Sequence, residues 1–160
     1  MLERFTKEAG GVAAGARDRA RMRGSGTVEA EHVLLALAAE LEGVAGRVLR
    51  SLGLDEAAVD VALRADFEAT LGQVGVSLDA FEVPPPIPLA GTPRWGTSAK
   101  AALEGALAAA QARGDRRIES AHILLAVLSA HEGTVPRALR GAGVEPADVV
   151  VATHVAMARP

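Results

Sequence analysis

The sequence repeats itself at a shift of 90 residues, and this duplication constrains the fold more than any other feature. More than ten residues of the first half return unchanged 90 positions later. Ten of them are Gly24, Glu29, His32, Leu34, Leu35, Ala36, Gly43, Arg47, Leu49 and Gly53, which return as Gly114, Glu119, His122, Leu124, Leu125, Ala126, Gly133, Arg137, Leu139 and Gly143. Two units related in this way are expected to share one supersecondary structure. Each unit therefore serves as an internal comparison for the other.

The spacing of apolar residues and glycines predicts four helices in each unit. Val33, Leu34, Leu37 and Leu41 recur at helical spacing and define an apolar stripe. Glycines follow at the points where these helices are expected to end. No run of alternating apolar and polar residues is long enough to indicate a sheet. We therefore predict an all-α fold of eight helices, at residues 6–23, 29–41, 44–52, 55–71, 97–113, 119–130, 135–142 and 146–158.

The segment between the two units is rich in proline. Residues 73–94 contain five prolines, which rule out a continuous helix and favour an extended linker. A short helical turn is expected at residues 77–81. A stiff spacer is the preferred interpretation, ahead of a ligand segment for an aromatic groove on another protein. The predicted organisation is a first repeat at 1–72, the linker at 73–94 and a second repeat at 95–160, together forming one compact domain.

Composition narrows the classes of partner. The 160 residues include no cysteine and carry a formal net charge of −3, so neither disulfides nor attraction to a nucleic-acid backbone is expected. Arg17, Arg19, Arg21 and Arg23 form a local basic cluster, which is more typical of a solvated helix face than of a nucleic-acid site. No apolar stretch approaches the ~20 residues that cross a bilayer, and the first residues are too charged for a signal peptide. We expect a soluble cytoplasmic protein without nucleic-acid or membrane partners.

The motifs of common enzyme active sites are missing. The sequence contains no Gly-Lys dipeptide of a phosphate-binding loop, and no GxGxxG, GxSxG or HExxH motif. Glu31 and His32 are adjacent, so on a helix they point about 100° apart and do not form an acid–base pair. His32 and His122 occupy the same repeat position, where a hydrogen-bonded structural histidine is favoured over a ligand or base. We predict no enzymatic activity, no bound metal and no cofactor.

Several segments together resemble a known family. The first unit has ERFT at residues 3–6, EHVLL at 31–35 and LG at 52–53, and the second has HILL at 122–125 and EG at 132–133. This pattern resembles the Clp N-terminal domain, the double repeat at the front of ClpC-type unfoldases. The resemblance implies a pseudo-twofold bundle of two four-helix Clp repeats that binds Clp unfoldase or protease components, adaptors or tagged substrate proteins. The ATPase rings of such unfoldases are missing from this sequence, so we expect a free-standing relative rather than a fragment.

The resemblance also implies a pocket for phosphoarginine, with Thr6 and Glu31 at the matching positions. Thr6 is placed to cap the first helix, whose free amides suit a phosphate, and Glu31 could accept hydrogen bonds from a guanidinium. A purely structural role at the two helix starts is an equally good interpretation. The shift of 90 sets Gly96 against Thr6 and Ala121 against Glu31. We therefore expect one competent pocket, in the first repeat.

A second surface implied by the resemblance is the groove between the two opening helices, where the family accepts adaptors and cyclic peptides. The matching positions are Leu2, Phe5, Trp95 and Lys100. An exposed tryptophan beside a lysine would anchor a peptide, whereas a buried one, which is somewhat favoured, would close the linker onto the bundle. The leading function is non-enzymatic recognition of proteins or peptides. The alternative is capture of cyclic peptide antibiotics in this groove.

Overall fold

Eight helices and one minimal sheet make up the part of the chain that the structure describes. The computed structural model describes residues 2–158, except for the side chain of Leu2. The helices are α1 (Lys7–Met22), α2 (Ala30–Ala39), α3 (Val44–Ser51), α4 (Glu56–Gln73), α5 (Thr97–Arg113), α6 (Ser120–Leu128), α7 (Thr134–Gly141) and α8 (Pro146–Met157). The predicted all-α fold is confirmed, and each predicted helix end lies within two residues of the observed one. No helix in residues 2–158 has the length and apolar character needed to span a bilayer.

Local chemistry fixes several of these helix ends. The hydroxyl of Thr6 accepts a hydrogen bond from the Ala9 amide at 3.2 Å and caps α1. The Asp55 carboxylate does the same for α4, where it accepts from the Ala58 amide at 2.8 Å. Helix α5 ends at Gly114, whose φ of 76° lies in the left-handed region that glycine adopts without strain. Such signals are contained in the neighbouring sequence, which is why the boundaries were predictable.

The core is built from small aliphatic side chains. Helices α1 and α2 pack together in the first repeat, and α5 and α6 pack together in the second. The buried positions of α1 and α5 coincide at the shift of 90 and are nearly all alanine. They are Ala9, Val12, Ala16 and Ala20 in α1, and Ala99, Ala102, Ala106 and Ala110 in α5. Side chains of this size let helix backbones approach closely, which explains how an aromatic-poor chain fills its interior.

Short parallel strand pairings join the two repeats. Strand β1 (Thr27–Val28) pairs with β2 (Arg94–Trp95), with Val28 opposite Trp95. A single parallel bridge joins Phe5 to Ile118 at the counterpart position. The start of α2 therefore meets the start of α5, and the start of α1 meets the start of α6. We call this pairing of each helix start with one from the other repeat the exchange between the repeats. It was not predicted, because strands of two residues are too short to leave a pattern in the sequence.

Polar side chains support this exchange. The Ala30 amide donates to Ser98 Oγ at 2.8 Å, and the Ser98 amide donates to the Glu29 carboxylate at 3.3 Å. At the counterpart junction, Glu8 Oε1 accepts from the amide of Ser120 at 3.3 Å and from its hydroxyl at 3.2 Å. Glu8 and Ser98 are repeat counterparts. In each case, the side chain at this repeat position accepts a hydrogen bond from the first backbone amide of the second helix in the other repeat.

The proline-rich linker runs from α4 to β2 with one short 3-10 turn, Leu78–Ala80, inside the predicted range. Its later part lies against the end of α1, where the Leu89 amide donates to the Arg21 carbonyl at 2.8 Å. Gly24 makes this approach possible, because a Cβ there would lie 2.7 Å from the Ile87 carbonyl oxygen. The repeat and linker boundaries at residues 1–72, 73–94 and 95–160 stay a prediction.

Candidate functional site

A pocket of about 300 Å³ lies where the first repeat meets the second. It is bounded by α2 and α4 of the first repeat and by α7 of the second, and its lining combines charged, hydroxyl and apolar side chains. The lining residues are Arg23, Glu31, His32, Leu63, Asp66, Phe67, Thr70, Thr134 and Arg137. We call this the Glu31 pocket. Its volume is at the lower end of the range of small-ligand sites.

Glu31 is the one lining carboxylate without a cationic partner among residues 2–158. It is the second residue of α2 and is half-buried. Burial raises the pKa of this carboxyl, and the neighbouring Glu29 carboxylate raises it further. A backbone hydrogen bond and the positive charge of Arg23 oppose this rise only in part, so the carboxylate is stabilised further when a positively charged group binds. Glu31 is therefore suited to a guanidinium or an amine.

The two arginines of the pocket are each anchored by a carboxylate. Arg137 of α7 donates from Nε and Nη2 to the Asp66 carboxylate of α4, at 3.0 and 3.2 Å, and so links the two repeats. Arg23 is paired with Asp60 of α4. A guanidinium has five N–H donors, and these bonds leave several unused. Both arginines are thus fixed in place with donors to spare for an anionic ligand.

His32 also lines the pocket, and its side chain is only 4% exposed. Its Nδ1 accepts a hydrogen bond from the Glu29 amide at 2.9 Å, which places the ring at the start of α2. Burial, together with the positive charge of Arg23, lowers the pKa of His32 to about 4. The ring is therefore neutral at pH 7, and since Nδ1 is an acceptor, Nε2 carries the proton.

The counterpart of this pocket in the second repeat has no carboxylate, although its two arginine positions and its histidine position are unchanged. Ala121 stands in place of Glu31 and is fully buried. Ala156 replaces Asp66, and Val44 of the first repeat replaces Thr134. No carboxylate is left at these positions to receive a cation. The two repeats thus differ at these positions in their carboxylates, and the expectation of a single competent pocket stays a prediction.

Thr6 lies at a different junction from Glu31. Its amide donates to the Ile118 carbonyl at 2.9 Å, so the start of α1 lies against the start of α6. Glu31 lies at the start of α2, which meets α5. The structure therefore does not bring the two predicted phosphoarginine residues together. The exchange of helix starts between the repeats separates them, and the hydroxyl of Thr6 is already used as a helix cap.

The predicted groove residues also divide between two places. Trp95 and Lys100 line an open pocket of about 600 Å³, together with Arg17, Thr27, Thr92, Pro93 and Arg94. The guanidinium of Arg17 lies over the Trp95 ring, 5.1 Å from its centroid. Phe5 is only 7% exposed and belongs to the core at the opposite junction. The side chain of Leu2 lies outside the described part of the chain.

The residues that complete the Glu31 pocket were missed in the sequence. Asp66, Thr134 and Arg137 come from the end of α4 and from α7, and no local motif connects them. Only the packing of α4 against α7 brings them to Glu31. One signal was present, however, since the shift of 90 shows polar residues in one repeat where the other has Ala121, Ala156 and Val44.

A second buried carboxylate lies away from the pocket, at the end of α2. Both carboxylate oxygens of Glu40 are buried, and no hydrogen bond of standard geometry reaches them within residues 2–158. Burial raises the pKa of Glu40, and this effect and that of the nearby Glu8 carboxylate outweigh the opposing effect of the Ser120 hydroxyl. The folded state therefore holds the Glu40 proton more tightly than the unfolded state does.

Replacing Glu40 by glutamine should stabilise the protein at neutral pH by about 1 kcal/mol, because the buried charge is removed. A carboxyl whose folded-state pKa is raised disfavours folding once pH exceeds the ordinary pKa of the unfolded chain. The gain in Glu40→Gln should therefore shrink as pH falls through the raised value, and vanish below the ordinary value of 4.5. Urea denaturation of both proteins at pH 4 and pH 7.5 measures this difference. A gain independent of pH would contradict it.

Comparisons with known proteins agree with this architecture. The family model of the Clp repeat (R) N-terminal domain matches residues 4–82 and 94–159. The ATP-dependent Clp protease ATP-binding subunit ClpA homolog of Brassica napus chloroplasts is 36% identical over 151 residues, which is 93% of this chain and 15% of that protein. The chloroplastic chaperone protein ClpC1 of Arabidopsis thaliana is also 36% identical over 151 residues, 93% of this chain and 14% of its own length. The chain thus spans only a small part of these relatives.

Solved structures show the same fold. The N-terminal domain of the chaperone ClpD from Arabidopsis thaliana superposes with a TM-score of 0.71 at 18% identity, covering 98% of this chain and 96% of that one. The N-terminal domain of Hsp104 from Candida albicans gives a TM-score of 0.57 at 20% identity, covering 93% and 88%. The family model covers both repeats and leaves out mainly residues 83–93 of the linker. The chain therefore belongs to the Clp repeat N-terminal domain family.

Proposed function

We propose that this chain is a recognition module of a Clp-type chaperone or protease system, which binds substrate proteins or adaptors and catalyses no reaction. The observation that carries the proposal is Glu31, a half-buried carboxylate that forms no salt bridge within residues 2–158, in a pocket formed by both repeats. Such a group invites a positively charged side chain from another protein. Membership of a family whose relatives include Clp protease subunits and chaperones supports the wider assignment.

The ligand we propose for the pocket is phosphoarginine on a tagged protein. The guanidinium part would be accepted by Glu31. The phosphoryl part would face the donors that Arg23 and Arg137 do not use in their ion pairs, and the hydroxyl of Thr134 at the first turn of α7. Thr6 has no part in this arrangement. A ligand with adjoining positive and negative groups matches a lining that offers both kinds of partner.

Calorimetric titration with a phosphoarginine peptide tests this assignment. Wild type should bind, and Glu31→Gln, which keeps the shape but removes the charge, should bind at least about tenfold more weakly. Thr6→Ala is the matched control, because it should lose stability through the α1 cap while its affinity stays the same. Failure of the wild type to bind, or equal affinity of Glu31→Gln, would rule out the pocket while leaving the family assignment intact.

A second candidate function is capture of cyclic peptides at the Trp95 pocket. It is supported by Trp95, Lys100 and Arg17, which line one open cavity of about 600 Å³ and combine an aromatic face with cations. Because Trp95 is the only tryptophan, its fluorescence reports on this site alone. Binding should change the emission of the wild type, and Lys100→Ala should reduce the affinity several-fold. An unchanged spectrum at saturating peptide would exclude this role.

A further inference from the structure

The arginines near the end of α1 lie in two different environments. Arg19 and Arg23 form ion pairs with carboxylates of α4. Arg17 instead lies over the Trp95 ring, with its guanidinium carbon 5.1 Å from the ring centroid. The face of an aromatic ring attracts a cation but does not neutralise its charge. Arg17 is therefore held in place and keeps its full positive charge.

Two further cations line the Trp95 pocket together with Arg17. They are Arg94 of β2 and Lys100 of α5, and none of the three cations forms a salt bridge within residues 2–158. Two threonine hydroxyls complete the polar lining, and no carboxylate is among the lining residues. Because like charges gathered without a counter-ion repel one another, an anion that enters this pocket is stabilised by all three cations.

The hydrogen bonding of Arg17 is also incomplete. Its Nε is buried and has no hydrogen-bond partner within residues 2–158. Buried donors are rarely left unpaired in folded proteins. An uncompensated charge and an unpaired donor thus occur in one side chain of this pocket, and both favour a ligand with negatively charged acceptor atoms.

The counterpart junction between the two repeats lacks this group of cations. The repeat counterpart of Arg17 is Leu107, and that of Lys100 is Gly10. Only the third cation has a basic counterpart, Arg4. The junction therefore forms at one of its two places without these charges, so packing does not require them. Their presence at the other place favours a role in binding.

We propose that the Trp95 pocket binds a diphosphate group, either as free pyrophosphate or as part of a nucleoside diphosphate. The pocket holds three cations, and a diphosphate ester carries about three negative charges at neutral pH. A guanidinium fork matches phosphate oxygens with two parallel hydrogen bonds, and the lysine ammonium adds a point charge. A single carboxylate has one charge and two oxygens, so it cannot serve three cations at once. This inference does not rest on the functions proposed above, since it concerns neither Glu31 nor a peptide ligand.

Calorimetric titration with pyrophosphate, orthophosphate and ADP, in buffer free of divalent metal ions, tests the proposal. The wild type should bind pyrophosphate about tenfold more tightly than orthophosphate, which has fewer charges and fewer oxygens. The affinity should fall as salt is added, because the pocket is open to solvent. Binding of ADP no tighter than that of pyrophosphate would assign the site to free diphosphate. Tighter binding of ADP, with a change in the fluorescence of Trp95, would assign it to a nucleotide.

Two pairs of variants locate the binding. Lys100→Gln and Arg94→Gln should each weaken pyrophosphate binding about fivefold, because each removes one cation of the pocket. Lys7→Gln and Arg4→Gln are the matched controls, since Lys7 is the other lysine of the chain and Arg4 is the repeat counterpart of Arg94. Neither lines the pocket, so both controls should bind as the wild type does. All four residues are exposed, and the variants should fold normally.

Three results would overturn the proposal. The first is absence of pyrophosphate binding by the wild type. The second is an equal loss of affinity in Lys7→Gln and Arg4→Gln, which would show a response to net charge alone. The third is binding of orthophosphate as tight as that of pyrophosphate, because one phosphate group would then be sufficient. None of them bears on the Glu31 pocket, which is tested separately with the phosphoarginine peptide.

Discussion

Gly46→Ala is expected to destabilise the protein by about 3 kcal/mol or more, although it adds a single methyl group. Gly46 lies in α3 and is buried, and a Cβ built there would overlap the carbonyl oxygen of Glu40 at the end of α2. Arg50 holds that carbonyl in place, since its guanidinium donates to the Glu40 and Leu41 carbonyls, the latter at 2.8 Å. Because Arg50 fixes these two carbonyls, the end of α2 cannot easily shift to make room for the added methyl group.

Gly11→Ala provides the control for this variant. Gly11 lies in α1 and is exposed, and a Cβ added to it would have nothing within 4 Å. The substitution should stabilise the helix by about 0.5 to 1 kcal/mol, because alanine loses less backbone entropy than glycine. Urea denaturation of both variants measures the two effects, which have opposite signs. A loss below about 1 kcal/mol in Gly46→Ala would show that α2 and α3 can move apart.

Ile118→Ala should have an effect of similar size, for a different reason. Ile118 is fully buried, and its backbone bridges to Phe5 where the start of α1 meets the start of α6. Truncation would leave a cavity at the junction between the repeats, and buried isoleucines replaced by alanine typically cost 2–5 kcal/mol, so we expect about 3 kcal/mol. The midpoint of thermal unfolding should fall by about 10 °C.

Ile87→Ala is the matched control, because it removes the same atoms from a side chain that is 84% exposed in the linker. Its stability should stay within about 0.5 kcal/mol of the wild type. Differential scanning calorimetry of both variants gives the comparison. If the two isoleucines proved equivalent, the junction at Ile118 would not be part of the cooperative core.

The helices were predictable because their signals are local. Thr6, Asp55 and Gly114 stand at helix ends and act on amides or carbonyls within a few residues of themselves. The alanine-rich stripes likewise repeat within single helices. The 90-residue duplication then predicted that both halves fold alike, and the family model and the solved relatives confirm it.

The candidate site was predictable only in part. Comparison of the repeats singled out Glu31, because Ala121 stands opposite it. The residues that surround Glu31 could not be found in this way, since Asp66 and Arg137 are 71 positions apart and meet only across the repeat interface. Thr6 was assigned to the same pocket because the resemblance to the family sets Thr6 and Glu31 at matching positions of the first repeat. The strand pairings show that the repeats exchange their helix starts.

Gly46 shows the same limit at a single position. Its counterpart in the second repeat is Pro136, so the sequence suggests that a side chain is tolerated there. In the first repeat, Arg50 donates to the Glu40 carbonyl and holds it in the space that a side chain at residue 46 would need. In the second repeat, the counterpart Arg140 instead donates from Nε to Glu145 Oε2 at 3.4 Å. Equivalent positions in the two repeats therefore do not guarantee equal space around the residue.

The sequence by itself determined the helices, their order and the twofold duplication, because helix formation depends on residues within a few positions of one another. Only the tertiary structure decided which helix starts meet, which arginine is held beside Glu31, and that His32 lines the same pocket. These contacts join residues far apart in the chain, and their partners are chosen by packing of whole helices. For that reason the duplication predicts a shared scaffold, while the difference between the two pockets depends on the exchange between the repeats.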